Sequence, residues 1–407
     1  MMRPDAPGTS VPGRILFLAH RPLTDAAFGG GQRTSHLRAA AGKLRDVDTL
    51  VILPDSKCSR STDWDEDRSM TFAYRAHRGP RTALADVVRV RRWVNEVLAA
   101  DDYDLVIARY LSTALMVPRR YRKQLVLDAD DILKTHATSI GSRAGLAGRA
   151  VAAVRRVLVH RLLSQVAHVW FVSPRDLAAL GHRTRGSALL PNAAITYDAR
   201  PRHPQPNTLM IVGHYAHGPN QDAVDFFIRE VLPGLRERRP GAVLHIVGSV
   251  PDECADRWSS EPQVKVLGFV EDLGAEYARS ALAVVPVHSG GGTQIKLIEA
   301  LSNSCPTVAS QFAYAGFSET LAAERHLYVA RTADEWVDAC LHALEDPERS
   351  ESMAQAASDI VRRTYGVPAI HERIRQTLLP LLLDSTPRAD PGLPPHETAA
   401  RHEDATP

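Results

Sequence analysis

Val284 to Ser310 reads VVPVHSGGGTQIKLIEALSNSCPTVAS, and the rest of the chain is organised around this stretch. Leu282 to Val287 is a short apolar run of the kind that forms a buried strand. Gly290, Gly291 and Gly292 follow, then Thr293. From Ile295 the period changes. Ile295, Leu297, Ile298 and Leu301 fall at helical spacing, so a helix is expected to start near Thr293. Thr307 to Ser310, after Pro306, reads as a second strand. The order is strand, glycine loop, helix, strand.

The first turn of that helix carries the chemical signal. Glycines let the backbone approach a ligand, and a helix N-terminus offers unpaired N–H groups with a positive partial charge. Lys296 lies in this turn, where the helix dipole disfavours a cation by roughly 0.3–1 kcal/mol. A bound anion would reverse that sign. Glu299 is i,i+3 from Lys296 and can share its face. Together they offer donors and a cation to phosphate, and a carboxylate to hydroxyl groups, which suits a nucleotide sugar. The plain alternative is a glycine turn with a surface Lys–Glu pair.

GGGTQIKLIEAL followed by SNSCPTVAS resembles the donor-site signature of retaining glycosyltransferases of the GT-B fold, family 4 (glycosyl transferases group 1). The usual form is a glutamate, seven residues, a second glutamate, a small-residue stretch, a proline and a buried strand. Glu299 matches the second glutamate, which the resemblance makes the holder of the donor ribose. The first falls on Gly291. The chain is therefore similar to a subgroup with a glycine run there and a basic or amide residue at the Gln294 position.

With 407 residues the chain is long enough for two domains. Its 44% hydrophobic and 24% charged content is that of a soluble globular protein. No apolar run reaches ~18 residues, and the first residues lack the apolar core of a secretory signal. Cys58, Cys254, Cys305 and Cys340 show neither disulfide nor metal spacing and read as reduced thiols, which points to the cytoplasm. Charge is unevenly spread. Residues 1–200 carry 31 Lys+Arg against 19 Asp+Glu, and the remainder 18 against 28, so +12 and −10 make the net +2. That split suggests an anionic partner on the N-terminal side, with basic clusters at Arg89, Arg91, Arg92, at Arg119, Arg120, Arg122, Lys123, and along Arg149 to Arg161.

Along the chain, Arg14 to His20 is a strand, Gly29, Gly30 and Gly31 a glycine-rich loop, and Ser35 to Leu44 a helix. There is no G-x-G-x-x-G, which argues against a dinucleotide cofactor. The resemblance implies that this first loop faces an interdomain cleft; a flexible turn is the alternative. Leu84 to Ala100 is helical with Val87, Val90, Val94 and Val97 as its stripe. Gln124 to Leu127 is a strand ending in Asp128, Ala129, Asp130 and Asp131. These acids could cap a helix, act in the cleft, or bind a metal. Many family members place a histidine where Asp130 falls. Arg143 to Gln165 reads as an amphipathic helix, core-facing through Leu146, Val151, Val154, Leu158 and Leu162, or alternatively a surface for anionic lipid. Thr196 to Asn207, with three prolines, is the linker. After the strand Leu209 to Val212, the positions where the family often has a diphosphate-clamping Arg and Lys hold His214 and Pro219, which leaves Lys296 as the cation. Gly268 to Val270 resembles the turn that meets the nucleobase.

The expected fold is α/β: two Rossmann-like domains facing across a cleft (GT-B), with a C-terminal helix returning to the N-terminal domain. The expected boundaries are 13–195 for the N-terminal domain, 196–207 for the linker, 208–365 for the donor domain, 366–384 for the crossover helix and 385–407 for a disordered tail. The resemblance implies Lys296 and Asp130 as catalytic. It implies Gly213, His214, Phe269, Val270, Gly291, Gly292, Thr293, Gln294 and Glu299 as donor-binding, and Gly29, Gly30 and Gly31 as the cleft loop. The expected activity is transfer of a sugar from a nucleotide diphosphate sugar to a hydroxyl acceptor with retention, in polysaccharide or glycolipid biosynthesis. The alternatives are an epimerase or hydrolase of the same fold, or a non-catalytic sugar-nucleotide-binding relative. No cofactor and no metal are expected. The partners expected are the nucleotide sugar and a lipid-linked or otherwise anionic acceptor, with no nucleic acid, at the cytoplasmic face of the membrane.

Overall fold

The computed structural model describes residues 13–20, 29–55, 59–60, 65–66, 68–75, 80–130, 132, 146–197, 201–290 and 293–385. Gly291, Gly292, Asp131 and the tail from 386 onward lie outside them.

The N-terminal half runs β1 (Arg14–Ala19), α1 (Gly29–Gly42), β2 (Asp46–Asp55), β3 (Ser59–Arg60), β4 (Ser69–Arg75), α2 (Pro80–Ala100), β5 (Tyr103–Arg109), α3 (Tyr110–Met116), β6 (Leu125–Ala129), α4 (Leu146–Leu163), β7 (His168–Phe171), α5 (Pro174–Leu180) and β8 (Ser187–Leu189). Its sheet has the order β3-β4-β2-β1-β5-β6-β7-β8. Every pair is parallel except β3 with β4. β1 is buried from Ile15 to Ala19 because helices cover both faces, which is why its sequence is a continuous apolar run. On one face Val90, Val94, Leu111, Ala114, Val159 and Leu162 from α2, α3 and α4 close the core. Val87, expected on the α2 stripe, is instead exposed, and Trp93 takes part in the core. In α4 the expected apolar side is also displaced. Leu162 is buried, but Val154 and Leu158 are 61% and 51% exposed.

The C-terminal half runs β9 (Gln205–Val212), α6 (Gly218–Phe226), a π turn into α7 (Leu232–Arg238), β10 (Val243–Val247), α8 (Asp252–Ser259), β11 (Val264–Gly268), α9 (Leu273–Arg279), β12 (Ser280–Val285), α10 (Ile295–Ser302), β13 (Thr307–Ser310), α11 (Gln311–Ala315), β14 (Tyr328–Ala330), α12 (Ala333–Glu345) and α13 (Pro347–Tyr365). Its sheet is parallel throughout, in the order β11-β10-β9-β12-β13-β14.

The last helix, α14 (Val367–Ser385), returns to the N-terminal domain. Ile370, Ile374, Leu378 and Leu382 form an i,i+4 ridge on α1 and the sheet, packing with Leu37, Ala40, Ala41, Phe17 and Trp170. Trp170 Nε1 also donates to Thr377 Oγ1 at 3.1 Å. The two passages between halves lie side by side: Ala194 pairs with Gly366, and Ala194 N donates to Tyr365 O at 2.7 Å. A Cβ at Gly366 would sit 2.3 Å from Arg362 O, so only glycine fits where the two passages meet.

Strand order reverses between β1 and β5 in the first sheet and between β9 and β12 in the second. Open α/β sheets bind ligands at such switch points, outside the carboxyl ends of the strands. The ends of β5, β9 and β12 open on one cleft, lined by Tyr110, Gly213, His214, Val287 and Ser289.

Candidate active site

The cleft has a volume of about 510 Å³ and is walled by both halves. Glycines let its C-terminal wall close tightly. Gly213 N donates to Val247 O at 3.0 Å, and Gly248 N to Gly268 O at 2.8 Å. Gly248 has φ +125°, and a Cβ there would lie 1.9 Å from Gly213 O, so no other residue fits. Gly213, His214, Phe269, Val270, Gly290, Thr293, Gln294, Lys296 and Glu299 all line the space. Phe269 follows Gly268, at φ +69°, and is 70% exposed.

α10 starts at Ile295 with Gln294 as its N-cap residue, two positions after the expected Thr293. Its apolar residues Leu297, Ile298 and Leu301 are anchored in the core, which turns Lys296 and Glu299 toward the cleft. The two do not pair with one another as their spacing suggests. Lys296 Nζ donates to Asn220 Oδ1 at 2.6 Å, and Asn220 is held in turn by its Nδ2 bond to His214 O at 2.8 Å. Burial pulls the Lys296 ammonium down to about 8, with Glu299 offsetting part of the fall. Glu299 Oε1 accepts from Tyr197 Oη at 2.8 Å. Burial pushes its carboxyl up to about 7, against the pull of Tyr197, Tyr277 and Lys296. Both groups thus have neutral hydrogen-bond partners and displaced titrations, a pattern that clusters at functional sites.

Tyr197 belongs to the passage between the halves. Its N–H donates to Asn303 Oδ1 at 3.1 Å, while Asn303 Nδ2 donates to Glu299 O at 2.7 Å and Ser302 Oγ to Ile195 O at 2.7 Å. The end of α10 therefore clasps the passage and sets the phenol on Glu299.

The N-terminal wall is built on an ion-pair network. Asp128, at the end of β6, is wholly buried. Arg33 donates to it from Nε at 3.0 Å and from Nη2 at 2.5 Å, and Arg109 from Nη1 at 2.5 Å. Burial alone would raise the Asp128 carboxyl, but the two guanidinium groups outweigh it and hold it below the usual carboxylate range. Arg109 Nη2 reaches Asp130 Oδ2 at 3.1 Å, and Asp130 lines the cleft. Arg33 Nη1 donates to Asn192 Oδ1 at 3.3 Å, and Asn192 Nδ2 donates to Thr293 Oγ1 at 3.0 Å. A continuous polar chain thus crosses from Arg109 to Thr293, two residues before α10.

Several expectations are corrected here. Gly29, Gly30 and Gly31 are not a loop: they form the first turn of α1, and Gly30 reaches the cleft from there. Asp128 is an internal anchor for two arginines and does not face the cleft as a metal ligand or substrate contact. Asp130 shares Arg109 with it, so the two acids divide their roles. Among the described residues, no group of three His, Cys, Asp or Glu side chains is placed to hold a metal ion. Arg122, counted with the basic surface clusters, is buried and donates to Gln165 Oε1 at 2.7 Å.

Arg33, Arg109, Asn192, Tyr197 and Asn220 were not legible as site residues. Each is separated by 19 to 102 positions from the partner that gives it meaning. The only sequence signals near them are Gly-Gly-Gly before Arg33 and Leu-Pro-Asn at Asn192.

Residues 206–346 match the family described as Glycosyl transferases group 1. Among solved structures, sucrose-phosphate synthase from Thermosynechococcus elongatus aligns with a TM-score of 0.68 at 14% identity, covering 92% of this chain and 100% of that one. Anabaena HepE, solved with UDP and glucose, aligns at 0.63 and 16% identity over 90% and 99%. WaaG, a glycosyltransferase involved in lipopolysaccharide biosynthesis, aligns at 0.62 and 15% identity over 89% and 99%. No curated protein sequence matches the chain. These likenesses establish the GT-B fold, and the similarity to the group 1 glycosyltransferases lies in residues 206–346 of the C-terminal half.

Proposed function

We propose that this chain, a GT-B protein similar to the group 1 glycosyltransferases over residues 206–346, transfers a sugar from a nucleotide diphosphate sugar to an acceptor hydroxyl with retention. One observation carries the reading. Lys296 and Glu299 project from one helix turn into a cleft at the switch points of both sheets, the first half-buried, the second buried, and each held by a neutral partner. HepE, which shares the fold, is solved with UDP and with UDP-glucose, which supports a nucleotide sugar here.

The roles follow from the charges. Lys296 meets the diphosphate, and its ammonium gains the counter-charge that burial otherwise denies it. Glu299 accepts from the ribose hydroxyls in place of the Tyr197 phenol. Gly213 and His214 at the end of β9 border the diphosphate, while Phe269 and Val270 border the base. Gly290, Thr293 and Gln294 complete the donor side of the cleft. Transfer breaks the bond from the anomeric carbon to the diphosphate, which leaves with the electron pair, and forms a bond to the acceptor oxygen, whose proton passes to the departing diphosphate. Asp130, which lines the opposite wall and accepts from Arg109, holds reacting hydroxyl groups. Charge neutralisation at the diphosphate comes from Lys296 and backbone N–H groups, so no divalent metal is required.

Thermal shift against UDP, GDP, ADP, dTDP and CMP sugars, with and without EDTA, tests this. A donor at 100 times its dissociation constant stabilises by about 2.7 kcal/mol. A donor that shifts melting equally in EDTA and then turns over with an acceptor is the expected result. Binding without turnover across an acceptor panel favours a non-catalytic relative, and epimerised or hydrolysed product favours the other enzymes of this fold.

For the acceptor, we propose a lipid-linked or otherwise anionic molecule at a membrane surface. The supporting observation is on α4, where Val154, Val157 and Leu158 are exposed on the helix face that also carries Arg161. No helix among the described residues is long and apolar enough to cross a membrane, so such contact would be peripheral. Each basic residue near an anionic leaflet contributes about 1 kcal/mol. In liposome flotation at low salt the chain should be recovered with anionic vesicles and not with neutral ones. Val154→Ser with Leu158→Ser should reduce that recovery. Equal recovery with both vesicle types removes the membrane proposal and leaves the transferase reading standing.

A further inference from the structure

Tyr110 carries no local sequence signal, yet two positions of the chain are adapted to its placement. It is the first residue after β5, at the switch point of the N-terminal sheet, and its φ is +71°. A bulky side chain rarely occupies left-handed backbone, and where it does the conformation usually serves a site. The second adaptation is at Gly30 on α1. A Cβ there would lie 2.9 Å from Tyr110 Oη. Core packing of α3 is carried by Leu111 and Ala114, while Tyr110 faces the cleft.

The ring is held by a cation and a second ring. The Arg109 guanidinium carbon lies 4.2 Å from the ring centroid, and the His20 ring is tilted against it at 4.8 Å. Tyr110 Oη accepts from Arg109 Nη2 at 3.1 Å, and the same nitrogen donates to Asp130 Oδ2 at 3.1 Å. One guanidinium nitrogen, itself buried and neutralised by Asp128, therefore gathers a phenol oxygen and a carboxylate oxygen at the cleft wall opposite α10. Arg109 covers a face of the ring, and Tyr110 lines the cleft together with Gly30 and Asp130.

We propose that Tyr110, together with Asp130, forms the subsite for the hydroxyl groups of the sugar being transferred. A phenol can donate and accept, whereas a carboxylate only accepts, so the pair suits neighbouring hydroxyl groups of a pyranose rather than a phosphate or an apolar group. Asp130 repels phosphate and Tyr110 adds no cation, so the subsite separates the sugar from the diphosphate held at Lys296. This assignment rests on the nucleotide-sugar reading above.

The test takes the nucleotide sugar that gives the largest wild-type shift in the donor panel, and its nucleoside diphosphate, into calorimetric titrations. Tyr110→Phe removes the hydroxyl and keeps the ring. Gly30→Ala displaces the hydroxyl without altering Tyr110. Each variant should bind the nucleotide sugar about tenfold more weakly than wild type and the nucleoside diphosphate within twofold of it. Equal binding of the nucleotide sugar by wild type and Tyr110→Phe overturns the subsite alone. Parallel weakening of both ligands, with a lowered melting temperature, assigns Tyr110 to structure and also overturns it. A wild-type chain shifted by no nucleotide sugar overturns the donor reading and this subsite together.

Discussion

The two walls of the cleft treat charge in opposite ways. On the N-terminal wall, Arg33, Asp128, Arg109 and Asp130 neutralise one another, with Asp128 at 2.5 Å from each of two guanidinium groups. On the C-terminal wall, half-buried Lys296 and buried Glu299 stand three residues apart, and each is bonded to a neutral partner, Asn220 or Tyr197. The first arrangement has compensated its charges internally and fixes geometry. The second has not, and its titrations stand displaced toward neutrality. A ligand that brings negative phosphate and hydroxyl donors supplies what the second wall lacks. Chemistry that varies with ligand and pH therefore belongs to the C-terminal wall, and rigidity to the N-terminal one.

The largest expected effect breaks the compensated wall. Asp128→Ala leaves two buried guanidinium groups without a counter-ion and should destabilise the fold by about 3–5 kcal/mol in urea unfolding. Glu299→Ala should do the reverse of damage, leaving stability unchanged or raised, because it removes a carboxyl that burial penalises. Comparable losses in the two variants would erase the distinction between the walls.

Next in size is donor binding. Glu299→Ala should weaken nucleotide and nucleotide sugar alike, by about 1.5–3 kcal/mol for hydrogen bonds to a charged group. Lys296→Ala should weaken the nucleoside diphosphate more than the nucleoside. Calorimetry of the three ligands separates these patterns, and wild-type affinity in both variants would show the donor site to be elsewhere.

The smallest effect is a pH dependence. The Glu299 carboxyl is raised to about 7 in the folded chain from an ordinary value near 4.5. The folded state therefore holds more protons in that window, and stability should fall as pH rises from about 4.5 to 7. Lys296 is lowered to about 8 from 10.5, so between those values the unfolded state holds more protons and stability should rise with pH. The ligand-free protein should accordingly contribute a stability minimum between pH 7 and 8 from this pair, on the order of 1 kcal/mol or more. Denaturant melts at pH 5, 7.5 and 9.5 measure it, and Glu299→Gln should flatten the acidic limb. A limb that survives Glu299→Gln belongs to other groups.

Local sequence determined the α/β alternation, the place of α10 and the presence of Lys296 and Glu299 at its start. Each of these rests on residues within one or two turns of each other: apolar periodicity, a glycine run, and a cation where a helix dipole disfavours one. The match to the group 1 glycosyltransferase family over residues 206–346 includes this glycine run and helix. Where sequence reading failed, the deciding contacts are long-range. Gly29 to Gly31 read as a loop because glycine disfavours helix, whereas Gly30 sits in α1 beside the Tyr110 phenol, eighty positions away. Asp128, Asp130 and Asp131 look equivalent on the page. Only the approach of Arg33 from α1 and of Arg109 from β5 makes Asp128 an internal counter-ion and turns Asp130 to the cleft. Val154 and Leu158 fit a buried stripe by period, but the face that α4 turns to the sheet is set by Val159, Leu162 and Leu163. Periodicity reports that a helix has an apolar side; which side meets the core is decided by where the neighbouring strands lie, and that is a property of the assembled sheet alone.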